Sequence, residues 1–414
     1  MKELNIGLWL PSEWNTLPPS RLHNTVRDDV DLLLVPESHD RWDNLDRWKT
    51  FAEDFNTAIY TGLNHPDGWE CGYFFDPASE NEHTYVKHST ADRIAFSQED
   101  WTPEKSLPVV ELNGYRLGLT ICHDQYFSLL MQYQVDQKGA DVLCNISARP
   151  VKRRKWGEML QARAIENEAY TFCTMHTTNP DGEIPHSNTG HAFGFQPDGS
   201  PVDFTDEVGD GEFHPFDTEA DSLYITELSE DTIREESINR IRENTANTLS
   251  GDDYLLVEQE SSNELLFSYY DESFTVEFQN EKTLEFNDLA VDIHFVSSDD
   301  ALDPSIYADL LLNRSEADMH VVIVDARDVD AFRRVNKLYP VLRARAVEWC
   351  TPNLAVTSGG LDGFHIANTA KDTHRIEEPT LRLSPNRAWG LSSALKPVNH
   401  HQEEMKTLVD EIHQ

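Results

Sequence analysis

The sequence has no closely spaced pair of cysteines and no long apolar run, and these two absences exclude several classes of protein. No CxxC pair occurs, so a structural zinc site is not expected. We also predict no metal ligands elsewhere in the chain. An odd number of widely spaced cysteines argues against a disulfide framework, and the chain has five: Cys71, Cys122, Cys144, Cys173 and Cys350. A membrane-spanning helix is not expected, because no run of about eighteen apolar residues occurs.

The beginning of the chain, MKELNIGLWLPSEW, also lacks the long apolar region of a secretory signal peptide. We therefore predict a first strand in this stretch. Without a secretory signal the cysteines are expected to be reduced, which indicates a cytoplasmic protein.

Basic residues are scarce. The chain has 34 Lys and Arg against 74 Asp and Glu, for a formal net charge of -40. Such a surface repels the phosphates of nucleic acids and anionic membranes, so neither is expected as a partner. The acidic residues are spread over the whole chain, which resembles the halophilic proteome of a salt-loving archaeon, where molar salt shortens the Debye length to about 3 Å. The alternative is an ordinary acidic cytosolic protein.

Short apolar runs alternate with helix-like stretches over roughly the first 230 residues. DLLLVPE (31–37) and GYRLGLTIC (114–122) are predicted as strands, and the spacing of apolar residues predicts helices at 41–56, 125–140 and 153–169. This alternation is typical of an α/β sandwich. A polar, turn-rich stretch near 240–252 follows, so we predict one domain over 1–240 and a second, smaller α/β domain over 252–414.

The second domain partly repeats the first. Residues 140–175 and 317–358 both contain an Ala-Asp strand, a helix with the tripeptide ARA and a following strand. Further upstream, LGLTICHD (117–124) aligns with LAVDIHFV (289–296), which places His294 opposite Cys122. We therefore predict that 252–414 is a degenerate partial copy of the first domain that does no chemistry of its own.

Cys122 ends a predicted strand, and a helix is predicted to begin a few residues later. The positive end of that helix is expected to lower the pKa of the thiol. From its position alone, Cys122 is a packed thiol, a metal ligand or a nucleophile. A metal ligand is disfavoured, because the neighbouring His123 and Asp124 cannot readily face one ion together with it.

A thiol nucleophile needs a base, and strand ends elsewhere in the chain offer candidates. Glu37 closes the apolar run DLLLVPE, so it is either a surface cap or a base in a desolvated pocket. Lys87 follows a valine in HTYVKHS. It is either a solvated residue of an edge strand or a cation that stabilises a thiolate and an oxyanion. His123 is the candidate base nearest in sequence.

These features, in this order, resemble the carbon–nitrogen hydrolase (nitrilase) superfamily, amidase-like branch, over roughly residues 3–230. The resemblance rests on VPES, YVKHS, LGLTICHD, ARAIEN (162–167) and the hairpin-like GHAFGFQPDGSPV. It implies a nitrilase-like αββα sandwich and a catalytic triad of Glu37, Lys87 and Cys122, with no cofactor. It also implies a second glutamate that holds the lysine, for which Glu99 fits best and Glu104 is the rival.

The resemblance further implies residues around the substrate. The backbone N–H of His123 is expected in the oxyanion hole, and His191 stands where many members have a small serine. The segment VKRRKW (151–156) is the densest basic cluster of the chain, and in the family it lies near the mouth of the pocket. Its Arg153 and Arg154 are therefore expected either to bind a carboxylate-bearing substrate or to pair with surface acids.

The expected activity is cysteine-dependent hydrolysis of a small linear amide through a thioester intermediate. His-Asp after the cysteine, in place of the Trp-Glu common in true nitrilases, favours amides over nitriles. Members of the superfamily usually pair through one face of the sandwich, so a homo-oligomer is a candidate assembly. The alternative function is a catalytically inactive binding or scaffold protein on the same fold.

Overall fold

The computed structural model describes these residues: 3–88, 106–148, 153–177, 191–206, 222–229, 255–261, 264–269, 272–278, 282–286, 289–307, 317, 319–330, 333–348, 351, 353–358, 360–367, 372–376, 380–383, 409 and 412. Two compact units divide the chain, unit 1 over 1–236 and unit 2 over 237–414. The linker predicted at 240–252 lies outside the described residues. No helix among the described residues is long and apolar enough to cross a membrane.

Unit 1 contains a mixed sheet of seven strands, numbered here in chain order. They are β1 (Glu3–Leu10), β2 (Leu32–Arg41), β3 (Ala58–Asn64), β4 (Glu70–Asp76), β5 (Asn81–Val86), β11 (Thr205–Asp206) and β12 (Ser222–Ser229). The spatial order is β11-β12-β1-β2-β3-β4-β5. The central strands β1, β2 and β3 are parallel, and β2 reads as the continuous apolar run expected of a strand covered on both faces.

A second sheet of unit 1 has five strands. They are β6 (Val109–Leu112), β7 (Tyr115–Ile121), β8 (Val142–Ser147), β9 (Tyr170–Met175) and β10 (Phe193–Phe195), in the spatial order β10-β9-β8-β7-β6. The hairpin β6–β7 is antiparallel, β7, β8 and β9 are parallel, and β10 is antiparallel to β9. Contacts of β2 with β8 and β9 pack this sheet against the seven-stranded one.

Helices cover the outer faces of both sheets. The helices α1 (His23–Asp29) and α2 (Leu45–Phe55) bury Val26, Trp48 and Phe51 against the seven-stranded sheet. The helices α3 (Ser128–Asp136) and α4 (Arg153–Asn167) lie on the five-stranded sheet, where Met131 packs on Leu143. This arrangement confirms the α/β class and the αββα sandwich expected for the first domain.

Unit 2 contains a six-stranded mixed sheet and a four-stranded antiparallel sheet with a shared apolar core. The larger sheet runs in spatial order through β16 (Lys282–Phe286), β17 (Leu289–Ser297), β18 (Met319–Asp325), β19 (Asn353–Thr357), β20 (Gly360–Ala367) and β21 (Asp372–Ile376). The smaller sheet has the order β15 (Glu272–Glu277), β14 (Glu264–Tyr269), β13 (Leu255–Ser261) and β22 (Thr380–Leu383). Its described helices include α5 (Ser298–Leu302) and α6 (Tyr339–Glu348).

The strands β16 to β20 repeat the order and directions of β6 to β10. In both series an antiparallel hairpin is followed by two parallel neighbours and one antiparallel strand. Leu112 pairs with Tyr115 in the first hairpin, and Phe286 pairs with Leu289 in the second. Tyr115 therefore corresponds to Leu289, which corrects the alignment predicted from sequence by two residues and places Val296, not His294, at the position of Cys122.

Candidate active site

Cys122 follows directly after β7 and begins a short 3₁₀ turn, Cys122–Tyr126. Its backbone φ is 45°, a conformation that residues other than glycine rarely adopt. The α-helix begins at Ser128, and the 3₁₀ turn separates it from the thiol. Cys122 is partly exposed, whereas the other described free cysteines are buried: Cys71, Cys144 and Cys173.

The buried carboxylate of Asp124 ties this turn to the strand that leads to Lys87. One of its oxygens, Oδ2, accepts a hydrogen bond from the hydroxyl of Tyr85 at 2.7 Å and from the backbone N–H of Ile121 at 3.3 Å. Tyr85 lies on β5, two residues before Lys87. The hydrogen bond therefore joins the two sheets beside the thiol.

The ARAIEN segment supports the same turn from α4. Arg163 is fully buried, and its Nε donates to the backbone carbonyl of Gln125 at 2.7 Å. Its guanidinium also forms an ion pair with Glu166, one helical turn later, and both side chains are fully buried. This motif therefore positions the backbone after Cys122 rather than contributing to the chemistry directly.

Glu37 is directed by an irregularity in β2. The pairing of β2 with β3 shifts between Val35 and Asp40, and Ser38 has a φ of 53°. Gly62 on β3 permits this path, because a Cβ at Gly62 would lie 2.3 Å from the Cα of Glu37. The Glu37 side chain is buried, and its Oε2 accepts a hydrogen bond from the backbone N–H of Ala148 at 2.9 Å.

Lys87 follows the last residue of β5 and joins two carboxylates. Its Nζ contacts Oε1 of Glu37 and lies 2.6 Å from Oε2 of Glu70. The lysine is 7% exposed and Glu37 is 2% exposed. A largely buried ion pair of this kind is costly unless its hydrogen bonds are satisfied, and here the second carboxylate and Ala148 contribute those bonds.

Burial and neighbouring charges shift the pKa values of Glu37, Lys87 and Cys122. Burial raises the pKa of Glu37 to about 7, although the charge of Lys87 opposes this. Burial lowers the pKa of Lys87, but its attraction to Glu37, Cys122 and Glu70 outweighs this and raises it above its usual value.

Burial, followed by the charge of Glu37, raises the pKa of the Cys122 thiol well above its ordinary value. Lys87 and the backbone of Ala148 act in the opposite direction without reversing it. The lowered pKa that the sequence predicted from a helix N-terminus is therefore wrong, because a desolvated thiol beside a carboxylate resists ionisation. A protonated thiol next to a carboxylate with a pKa near neutrality is suited to general-base activation of a nucleophile.

The second glutamate expected to hold the lysine, Glu99 or its rival Glu104, lies outside the described residues. Glu70 contacts Lys87, and sequence reasoning missed it. The signal was the hairpin of β4 and β5: Asp76 pairs with Asn81, and Cys71 pairs with Val86. Continuing that register by one residue places Glu70 opposite Lys87.

The remaining predicted residues occupy different environments. The ring of His123 stacks on Tyr126, with centroids 4.7 Å apart, and the residue is partly exposed. His191 is fully buried, with its ring edge-on to Phe193 at 5.4 Å. Arg153 and Arg154 form the beginning of α4, and their side chains lie outside the described set.

Comparisons with known proteins agree with the resemblance seen in the sequence. Residues 23–215 match the family model described as "Carbon-nitrogen hydrolase". A deaminated glutathione amidase of Synechocystis sp. is 32% identical over 131 residues, which cover 30% of this chain and 43% of that relative. The chain thus matches less than half the length of this curated relative.

Solved structures match the chain at low sequence identity. An amidase from Nesterenkonia sp. is 18% identical and covers 54% of this chain and 90% of its own, with a TM-score of 0.41. A CN-hydrolase superfamily protein from Xanthomonas campestris is 17% identical and covers 56% of this chain and 92% of its own, also with a TM-score of 0.41. The family-model match lies entirely within unit 1.

Proposed function

We propose that unit 1 is a cysteine-dependent amidase that hydrolyses a small linear amide through a thioester. The observation that carries this proposal is the convergence of Glu37, Lys87 and Cys122 from three different strands. Lys87 contacts Glu37, and the charges of both groups act on the Cys122 thiol. The amidase activity in the name of the Synechocystis relative supports the same reaction type.

In the proposed mechanism Glu37 accepts the thiol proton as Sγ of Cys122 attacks the amide carbon. The carbonyl oxygen becomes an oxyanion, stabilised by Lys87 Nζ and the backbone N–H of His123. The carbon–nitrogen bond then breaks, and Glu37 gives its proton to the leaving amine. Water, activated by Glu37, attacks the thioester carbon, which releases the acid and restores the thiol. No metal or organic cofactor takes part in these steps.

A pKa of about 7 suits Glu37 for both halves of this cycle. A general base is most effective when its pKa is close to the working pH, and the same holds when the protonated form acts as an acid. The raised pKa comes from burial, which in turn depends on the β2 irregularity and on Gly62. The fold of this segment therefore contributes directly to the proposed chemistry.

We infer a substrate that carries a carboxylate. Arg153 and Arg154 begin the α4 helix, where cations oppose the helix dipole, so the stability of the helix does not explain them. A carboxylate-bearing amide would compensate their charge. His191 and the ring of His123 are proposed to shape the pocket around the amide.

The net charge of -40 supports a working environment of high salt, in the cytoplasm of a halophilic organism. We propose a small-molecule amide as the partner, no binding to nucleic acid or membranes, and a homo-oligomer as the candidate assembly. We further propose that 252–414 is a partial, non-catalytic copy of the first domain. The shared order of β6–β10 and β16–β20 supports that origin.

The test is a hydrolysis screen in molar KCl with ω-amides, N-carbamoyl amino acids, aliphatic amides and nitriles. We expect turnover of an amide, with a covalent acyl adduct on Cys122 detectable by mass spectrometry after rapid quenching. The Cys122→Ala protein is the matched control. Binding of amides without turnover and without an adduct would contradict the enzyme assignment and favour the binding or scaffold function.

A further inference from the structure

Unit 2 contains a cluster of three side chains whose ligating atoms converge. Among the described residues it is the one group of at least three His, Cys, Asp or Glu that could hold a metal ion: Asp292, His294 and His320. Their ligand atoms all lie within 4.8 Å of one another. His294 Nε2 is 3.2 Å from His320 Nδ1, which in turn is 3.8 Å from Oδ2 of Asp292.

The sheet fixes this arrangement through its backbone. Val291 and Ile293 face the apolar core between the two sheets, so strand alternation places Asp292 and His294 together on the opposite face of β17. The parallel register pairs Asp292 with His320 on the neighbouring strand β18. The three ligands therefore come from the centre of a sheet rather than from a loop, and Asp292 and His320 are only 7% and 5% exposed.

An additional contact orients the carboxylate. The hydroxyl of Thr283 on β16 donates to Oδ1 of Asp292 at 2.6 Å. The other oxygen, Oδ2, remains on the side of His320. Hydrogen bonds of this kind hold a ligating carboxylate in position and raise metal affinity.

Unit 1 has no such cluster at the corresponding positions. The hairpin register matches Asp292 and His294 with Gly118 and Thr120, and it matches His320 with Leu143. In unit 1 this face is covered by α3, whose Gln134 lies beside Gly118 and donates to the backbone carbonyl of Leu119 at 3.0 Å. Unit 2 thus carries titratable groups where unit 1 carries neutral residues.

The donor set selects the class of ion. Two imidazole nitrogens and one carboxylate oxygen suit borderline transition metals such as Zn²⁺, whereas Ca²⁺ and Mg²⁺ prefer sites made only of oxygen. Bonds of about 2.0–2.1 Å to a tetrahedral ion place its ligand atoms about 3.3 Å apart. The separation of 3.2 Å between the two histidine nitrogens agrees with that edge, and the carboxylate needs only a small movement.

We propose that Asp292, His294 and His320 bind one divalent transition-metal ion, with a fourth position filled by water or another ligand. The ion joins β17 to β18 and stabilises unit 2, and it has no step in the hydrolysis proposed for unit 1. Without metal, the two histidines share a hydrogen bond and Oδ2 of Asp292 lies 3.8 Å from His320 Nδ1. The experiment distinguishes this state from the metal-bound one.

The test uses the full chain in molar KCl, stripped with a chelator and titrated with Co²⁺, followed by its visible absorption and by displacement with Zn²⁺. We expect saturation at one ion per chain and a higher melting temperature for the loaded protein. His294→Ala and Asp292→Asn should each weaken Co²⁺ binding by more than about a hundredfold.

Thr283→Val, at an exposed position that only orients Asp292, should weaken binding less, by about tenfold. His65→Ala is the matched control, because His65 Nδ1 lies 3.5 Å from Oδ2 of Asp67 without a second histidine in that pair. It should leave Co²⁺ binding unchanged. A wild-type titration that does not saturate would overturn the proposal. So would wild-type affinity for Co²⁺ in His294→Ala, or in correctly folded Thr283→Val and Asp292→Asn proteins.

Discussion

A buried arginine occupies the same helix position in both units and has different partners in each. In unit 1, Arg163 donates to the carbonyl of Gln125 in the turn that begins at Cys122. In unit 2, Arg345 is equally buried in its ARA segment, and its guanidinium lies over the ring of Tyr307 at 5.6 Å. Both units thus have a helix with a buried arginine beside a series of strands of the same order, and among the described residues the arginine supports a turn only in unit 1.

The remaining sheets, seven-stranded in unit 1 and four-stranded in unit 2, differ more from each other. In unit 1 it is a mixed sheet whose strands β2 and β4 carry Glu37 and Glu70, with Lys87 after β5. In unit 2 the described strands β13, β14, β15 and β22 form an antiparallel sheet. The proposed catalytic groups of unit 1 come from both of its sheets, whereas the described part of unit 2 resembles unit 1 in only one sheet. The absence of activity proposed for unit 2 follows from this difference.

The most severe test of this comparison is removal of the nucleophile. Cys122→Ala should reduce hydrolysis to background, because unit 2 is expected to supply no activity of its own. Cys144→Ala and Cys173→Ala should retain activity, since both thiols are buried within strands and burial raises the pKa of each to about 12. The measurement is kcat on the amide found in the screen. Residual turnover near the wild-type level in Cys122→Ala would show that the assignment is wrong.

Loss of either partner of the thiol should be nearly as severe. Glu37→Gln and Lys87→Ala should each lower kcat by at least about a hundredfold, because one transfers the proton and the other stabilises the oxyanion. Lys87→Ala should also slow alkylation of Cys122 by iodoacetamide, because the lysine lowers the pKa of the thiol. Lys49→Ala, which removes an exposed ion pair with Glu82, is the control. An alkylation rate that Lys87→Ala leaves unchanged would show that the lysine does not act on the thiol.

The path of β2 should be sensitive to one methyl group. Gly62→Ala should destabilise unit 1 by about 1–3 kcal/mol, because the new Cβ meets the backbone of Glu37, which cannot rotate away. It should also lower kcat by displacing Glu37. Gly157→Ala in α4 is the control, since its Cβ would meet only the Phe193 ring at 3.2 Å and alanine favours the helix. Equal melting temperatures and equal kcat for the two variants would contradict the role of Gly62.

The pH dependence of kcat/KM should follow the ionisation of Glu37 and of the Cys122 thiol. Activity requires an ionised Glu37 and a protonated thiol, so it should rise with pH through an apparent pKa of about 7. Ionisation of Cys122 should add no alkaline limb near neutral pH, because burial raises the pKa of its thiol. Glu70→Gln should move the acid limb to lower pH, since the charge of Glu70 raises the pKa of Glu37. If the acid limb does not move in this variant, Glu70 does not influence the ionisation of Glu37.

The raised pKa of Glu37 also makes the free energy of unfolding depend on pH, in the direction opposite to that of activity. A carboxyl group with a raised pKa in the fold contributes stability at pH values below its ordinary pKa. For Glu37 that contribution is lost as pH rises through about 7. Thermal melts of wild type and Glu37→Gln between pH 5 and 8, at constant salt, should therefore diverge as pH increases, with the wild type falling relative to the variant.

The smallest expected effect is that of salt on the melting temperature. Because the net charge of -40 is unscreened in dilute buffer, the melting temperature should rise steadily as KCl increases to molar concentration. Measuring unfolding by near-ultraviolet circular dichroism at several KCl concentrations checks this. A midpoint that stays flat would remove the proposal of a high-salt environment.

Much of unit 1 is predictable from its sequence, since periodicity and strand ends single out Glu37, Lys87 and Cys122 as candidates. The family resemblance then implies their roles. Features that depend on register between strands are not. Glu70 and His320 reach their partners only through hairpin and parallel pairing, which a linear motif does not display. The direction of the pKa shift at Cys122 was also wrong from sequence, because it depends on how deeply the sulfur lies and not on which residue follows it.

The raised pKa of the Cys122 thiol has a consequence for oxidative damage. Peroxides attack thiolates rather than thiols, so a cysteine that remains protonated at rest is a poor target for conversion to sulfenic acid. In the proposed mechanism the thiolate forms only as Glu37 removes the proton during attack on the substrate. Resistance to oxidants would then follow from the same burial that makes the nucleophile dependent on its base, and an enzyme exposed to peroxide without substrate should lose activity slowly.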